Sequence, residues 1–246
     1  MHEEYAHIVD GSRKAVLMIH GIAGSPDHFR QLLPLIPADW SVRSLLLPGH
    51  GGSPMDFGRS SMSAWRSYAL EALQSLCRDH DRIVIAAHSM GTLFALQGAL
   101  QYPQVKGLLL LNCPLRVKYP LSTIWLCLRT TFGSRDQAAS DMRRATSIQL
   151  RPWLWQYLSW APRFWELLVE IGNTRPLVRQ LQLPAVCFLS RKDELVRMST
   201  QKLLTQNPLL RLETLPDSGH YAYAEADMEK ICQAFRELLT DAENTV

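Results

Sequence analysis

A chain of 246 residues, 47% hydrophobic and 20% charged, has enough apolar material for one folded domain with a sizeable core and room for an inserted subdomain. A formal net charge of +3, without any compact Lys/Arg run, excludes the electrostatic footprint of a nucleic-acid binder. The five cysteines are scattered without a C-x-x-C pair, no apolar run approaches the roughly 18 residues of a membrane span, and the first residues carry no basic-then-apolar leader, so a cytoplasmic protein with reduced thiols and no integral membrane association is expected.

In chain order, short apolar runs alternate with helical spacing, the pattern of a mostly parallel sheet covered on both faces. Strands are expected at 15–20 and 42–47. A helix over 65–78 follows, with Trp65, Tyr68, Ala69, Ala72, Leu73 and Leu76 on one face. A strand at 83–87 runs into a helix-compatible stretch over 91–100 that stops before Pro103. Further strands are expected at 107–111, 185–190 and 210–215. A last helix over 227–239 buries Met228, Ile231, Phe235 and Leu238.

The alternation breaks between 114 and 181, a helical segment too long for a simple crossover that holds five of the seven tryptophans. It is expected to be a helical cap, dividing the chain into 1–113 and 182–246 as core and 114–181 as cap. Trp125, Trp153 and Trp155 are candidates to line an apolar substrate pocket; an extra helical layer with aromatic packing would account for the same pattern. The segment carries ten basic side chains against four acidic ones. That excess fits a solvated helical surface, or weak contact with anionic lipid.

Chemistry concentrates at Ala87-His88-Ser89-Met90-Gly91. A serine between a buried strand and a helix, with small residues two positions away on either side, reads as a strand-to-helix turn tight enough to expose its hydroxyl. At the helix N-terminus, free N–H groups and the helix dipole favour developing negative charge. This is the nucleophile elbow usually written G-x-S-x-G, with Ala87 in the first glycine position.

A serine hydroxyl needs a base, and the base an orienting acid. Of the eight histidines, His2, His7, His28 and His80 have no special placement. His88 adjoins the serine, and neighbouring side chains diverge. His20 is read as shaping the loop after the first strong strand, and His50 lies in a glycine-rich loop. His220, in the turn-rich loop after the last strand, falls at the same sheet edge as the elbow. Asp193 follows the preceding strand in the same way. Glu194, read as an exposed neighbour, and Asp217, read as a turn former, are its weaker rivals. Two N–H donors must also face the oxyanion: Met90, directly after the nucleophile, and Ile22 in the loop 20–26, where Gly21 permits close approach.

Taken together, His20-Gly21-Ile22, Leu47-Pro48-Gly49-His50-Gly51, Ala87-His88-Ser89-Met90-Gly91, Lys192-Asp193-Glu194-Leu195-Val196 and Gly219-His220-Tyr221 resemble the α/β-hydrolase superfamily. Within it the chain looks most like small bacterial carboxylesterases and monoacylglycerol lipases with a short helical cap. The resemblance implies the α/β-hydrolase fold, a mostly parallel sheet flanked by helices with a helical cap insertion. It implies Ser89 as nucleophile, His220 as base, Asp193 as orienting acid and the Ile22 and Met90 amides as oxyanion hole. The expected activity is hydrolysis of small or medium acyl or monoacylglycerol esters through an acyl-enzyme. Thioesterase and lysophospholipase chemistry would use the same residues, and a non-catalytic ligand-binding receptor would retain them. No motif calls for a metal or cofactor, and the expected partner is a small-molecule ester.

Overall fold

The computed structural model describes residues 2–118, 137–150 and 153–245. Among these, seven strands form one sheet: β1 (Tyr5–His7), β2 (Lys14–Ile19), β3 (Ser41–Ser44), β4 (Arg82–His88), β5 (Val105–Leu111), β6 (Ala185–Ser190) and β7 (Leu210–Leu215). Their spatial order is β1-β3-β2-β4-β5-β6-β7, parallel throughout except where β1 runs antiparallel to β3. The six expected strands are present. The edge strand β1 was not anticipated, since three exposed residues give no periodicity to read.

The second strand is shorter than its apolar run. It leaves the ladder after Ser44, although Leu45 and Leu47 remain fully buried. The Leu47 N–H turns to the ring of His20 at 3.1 Å instead of to a neighbouring strand. His20 likewise lies just beyond β2, where its side chain takes over the pairing.

Alternation along the strands sorts the core into two layers. Leu17, Ile19, Ile85, Ala87, Leu108 and Leu110 face helices α2 (Met62–Asp79) and α3 (Met90–Gln101), which follow a short α1 (Pro54–Arg59). Val16, Met18, Val84, Leu109 and Phe188 face the opposite side, against Trp40 and the last helix. Helix α2 begins where the Ser61 side chain accepts the Ala64 N–H at 3.1 Å, and it buries Trp65, Ala69, Ala72, Leu73 and Leu76 as its spacing dictates. Helix α3 is buried on nearly every side, which explains why its sequence lacks a polar face.

Between β5 and β6 the described residues include α4 (Gln137–Ala145), a 3₁₀ segment (Leu154–Trp160), α5 (Ala161–Thr174) and a second 3₁₀ segment (Arg175–Gln180). Polar contacts seat this insertion, among them those of Trp160, Glu166 and Glu170. The Trp160 indole donates to the Pro54 carbonyl at 2.8 Å while its ring packs 4.6 Å from Phe57. Glu166 accepts the Met62 N–H at 2.8 Å, at the start of α2. Glu170, buried, accepts from Gln97 at 2.6 Å and Arg66 at 3.1 Å. A buried carboxylate is costly unless paired in this way.

After β6 come a short α6 (Gln201–Leu204) and, after β7, α7 (Glu225–Asn244), longer at both ends than its apolar spacing indicated. Ile231, Phe235 and Leu238 are buried on it as expected, and Met228 is half-buried. No described helix is long and apolar enough to cross a membrane.

Candidate active site

Ser89 sits between β4 and α3 with φ 48° and ψ −122°, a backbone conformation that costs a non-glycine residue about 1–3 kcal/mol. The surroundings hold it there. Its N–H donates to the Leu111 carbonyl at 2.8 Å, and its carbonyl accepts from the Thr92 hydroxyl at 2.6 Å and N–H at 2.9 Å. Gly91 is required by packing. A Cβ there would lie 2.2 Å from the Ile19 carbonyl oxygen, so α3 can start this close to β2 only without a side chain. Ala87, on the strand side, is fully buried in the core layer beneath.

The His220 Nε2 lies 3.1 Å from Ser89 Oγ, and its Nδ1 lies 2.7 Å from Asp193 Oδ2. A carboxylate can only accept, so Nδ1 carries the proton and Nε2 is left to accept from the serine. The second carboxylate oxygen, Oδ1, accepts the N–H groups of Leu195 at 2.7 Å and Val196 at 2.6 Å, which fixes the plane of the group. Ser89, Asp193 and His220 are all buried. The three therefore stand in one hydrogen-bonded line, contributed by the loops after β4, β6 and β7.

The rivals of Asp193 lie elsewhere. Asp217 faces solvent and pairs with Lys192 at 2.9 Å, as a turn residue would. Glu194 is half-buried, not an exposed neighbour. It accepts the backbone N–H of His220 at 2.9 Å, and a Cβ at Gly219 would lie 3.1 Å from its Oε1. The other side of the His220 loop is tied to the start of α7, where Asp227 accepts from the Ser218 hydroxyl at 2.8 Å and the Asp217 N–H at 3.0 Å.

His28 and His88, to which the sequence assigns no role, form a stack beside His220, with ring centroids 3.7 Å apart and His88 4.8 Å from the His220 ring. The Nε2 of His88 lies 3.1 Å from the His220 carbonyl and donates to it. Burial pushes the His28 ring down to about 3, reinforced by His220 and His20, and holds His88 well below the ordinary histidine range as well. Both are neutral supports. The partners of His28 come from distant parts of the chain, so no local pattern could have flagged it.

His20 shapes the loop after β2, as read from sequence: its Nδ1 lies 2.8 Å from the Gly21 carbonyl. His50 Nε2 accepts the Ala23 N–H at 3.1 Å. Gly21 lies against the elbow, since a Cβ there would sit 2.8 Å from Ser89 Cβ. The loop 21–24 thus borders Ser89 with Ile22 on it. Among the described residues the Ile22 N–H donates to no protein acceptor. Met90 opens α3, so its N–H lies ahead of the first intrahelical bond.

Of the candidate aromatic residues, Trp125 lies outside the described residues. Trp153 and Trp155 are each 60% exposed, whereas Trp160, not singled out from sequence, is packed into the core. No group of three or more His, Cys, Asp or Glu among the described residues is arranged to hold a metal ion.

Known proteins share this fold. Residues 16–234 match the model of the Alpha/beta hydrolase family. A pimeloyl-[acyl-carrier protein] methyl ester esterase of Aromatoleum aromaticum is 32% identical over 149 residues, 56% of each chain. An uncharacterised hydrolase of Bacillus subtilis is 29% identical over 115 residues, 44% of this chain and 40% of its own. The chain spans about half the length of these curated relatives. A solved structure described for LipS and LipT, two metagenome-derived lipolytic enzymes, superposes with a TM-score of 0.75 at 22% identity over 97% of both chains. That of a monoglyceride lipase from Saccharomyces cerevisiae does so at 0.71 and 14% identity, over 98% of this chain and 92% of its own. These two likenesses establish the common fold. The family model covers most of the chain, and this protein belongs to the alpha/beta hydrolase family.

Proposed function

We propose that this chain is a carboxylic ester hydrolase working by acyl transfer. The observation that carries the reading is the unbroken line from Asp193 through His220 to Ser89, at 2.7 and 3.1 Å, on a backbone-strained elbow. Ser89 Oγ attacks the ester carbonyl as His220 Nε2 takes its proton. Asp193 keeps the ring in the tautomer that accepts and stabilises the imidazolium that forms. The Ile22 and Met90 amides receive the oxyanion, a contribution of about 3–4 kcal/mol per donor. His220 then protonates the departing alkoxide, and water, activated by the same ring, releases the acyl group and restores Ser89.

The substrate class proposed is a small or medium acyl ester or a monoacylglycerol. Esterase and lipolytic activity in the names of similar proteins supports it. Residues 114–181 are read as a cap over a core made of 1–113 and 182–246. Trp153 and Trp155 present exposed rings suited to an apolar acyl chain. Several basic side chains of the cap are engaged with protein groups: Arg144 with Asp141, Arg163 with Glu166, Arg175 with the Leu115 carbonyl. This favours an ester bound at the elbow over a lipid surface as the main partner. Cys77, Cys113, Cys187 and Cys232 are free thiols, which fits a reducing, cytoplasmic setting.

The test is turnover of p-nitrophenyl acyl esters graded by chain length, with monoacylglycerol and thioester members, by wild type and Ser89→Ala. Loss of turnover in the variant is expected, and wild-type turnover in Ser89→Ala would overturn the reading.

A further inference from the structure

The loop that carries Ile22 is gripped from the insertion. Gly21-Ile22-Ala23-Gly24 forms a turn closed by the Gly24 N–H donating to the Gly21 carbonyl at 3.0 Å. Its third residue, Ala23, has φ 56°, a left-handed conformation that a residue with a side chain keeps only when its neighbours enforce it. The neighbours that do so follow α4. Thr146 Oγ1 donates to the Ala23 carbonyl at 2.8 Å and the Ser147 N–H joins it at 3.2 Å. Ser147 Oγ donates to the Gly24 carbonyl at 2.6 Å. Thr146 and Ser147 are buried, at 8% and 5% exposure, far from any surface role. The next residues keep them seated, with Ile148 buried and the Gln149 N–H donating to the Gly52 carbonyl at 2.9 Å.

Planar peptides transmit this grip. The Ala23 carbonyl and the Gly24 N–H belong to one plane, so holding the carbonyl aims the N–H at the Gly21 carbonyl. The Gly21 carbonyl and the Ile22 N–H belong to another, so holding that carbonyl aims the Ile22 N–H away from it. His20 secures the same Gly21 oxygen, and His50 secures the plane between, through the Ala23 N–H. Two rigid planes thus connect the Thr146 hydroxyl to the direction of the Ile22 N–H.

We infer that Thr146 and Ser147 are positioning residues for the oxyanion hole, making transition-state stabilisation at Ser89 depend on how the insertion is seated. The inference rests on the acyl-transfer reading of the site. A donor displaced by a few tenths of an ångström still permits substrate binding but serves the oxyanion poorly, so the effect belongs to kcat.

The experiment compares wild type, Thr146→Val, Ser147→Ala, the double variant and Thr146→Ser on an acyl ester. It measures kcat and KM separately, together with inhibition by a trifluoromethyl ketone, whose adduct on the serine carries the oxyanion. Expected for Thr146→Val and Ser147→Ala is a fall in kcat of about tenfold, with KM little changed and ketone inhibition weakened by a similar factor. Thr146→Ser should restore both. If the double variant does not fold, the single variants and Thr146→Ser decide the matter. Unchanged kcat and unchanged ketone inhibition in folded variants would overturn the inference while leaving the acyl-transfer reading standing. A wild-type protein that neither turns over esters nor binds the ketone would overturn that reading, and the inference with it.

Discussion

Glu194 accepts the backbone N–H of His220 at 2.9 Å, while its sequence neighbour Asp193 holds the ring of the same histidine at 2.7 Å. Two adjacent carboxylates on the loop after β6 thus grasp His220 by its main chain and by its side chain. The first fixes where the residue stands and the second fixes which way its ring faces.

On the acyl-transfer reading, replacing Glu194 weakens catalysis without removing any proposed reacting group. Glu194→Ala should lower kcat about tenfold with little change in KM, since a charge-assisted hydrogen bond is worth about 1.5–3 kcal/mol. Glu194→Gln, which keeps an acceptor oxygen, should recover much of the loss. Steady-state kinetics on an acyl ester check this; equal kcat in wild type and Glu194→Ala would show that the loop keeps its place unaided.

Gly91 is a packing requirement of the elbow. In Gly91→Ala the new methyl would press on the Ile19 carbonyl from 2.2 Å, and backbone cannot yield as a flexible side chain does. A loss of about 3 kcal/mol in unfolding free energy is expected. Urea unfolding measures it, and a stability equal to wild type would mean that α3 has room to shift away from β2.

The buried His20, His50 and His88, together with half-buried His28, make the fold sensitive to acid. Burial lowers the pKa of His20 to about 4, that of His28 to about 3, and those of His50 and His88 well below 6.5. In the unfolded chain each titrates near 6.5, so below that value the unfolded state binds more protons and stability falls with falling pH. The loss accumulates from about pH 6.5 downward and is complete for His20 below about 4, amounting to about 3 kcal/mol for that residue. Urea midpoints at intervals between pH 7.5 and 4.5 should decline steadily; a flat profile would place these rings in a solvated, chargeable state.

The residues proposed as catalytic are legible because each follows a strand whose apolar run is easy to see. Ser89, Asp193 and His220 come after β4, β6 and β7, and a parallel sheet delivers successive strand ends to one edge. Their supports were not legible. From sequence Glu194 reads as exposed, because a charged residue in a loop usually is, and its partner is a backbone N–H that no pattern of side chains encodes. His28 and His88 meet across 60 positions, and Thr146 reaches Ala23 across 123. Helix α1 was missed because its six residues are defined by the Ser53–Asp56 capping box and not by an apolar stripe. The residues proposed to react are therefore easier to read from sequence than the residues that hold them still.

The left-handed backbone at Ser89 has a further consequence. Glycine adopts that geometry without strain, so Ser89→Gly would remove the proposed nucleophile and relieve the tension of the turn together. On the acyl-transfer reading, the inactive protein would then be the sturdier one. In this fold, reactivity is maintained against the thermodynamic preference of the chain, at the residue where both are decided.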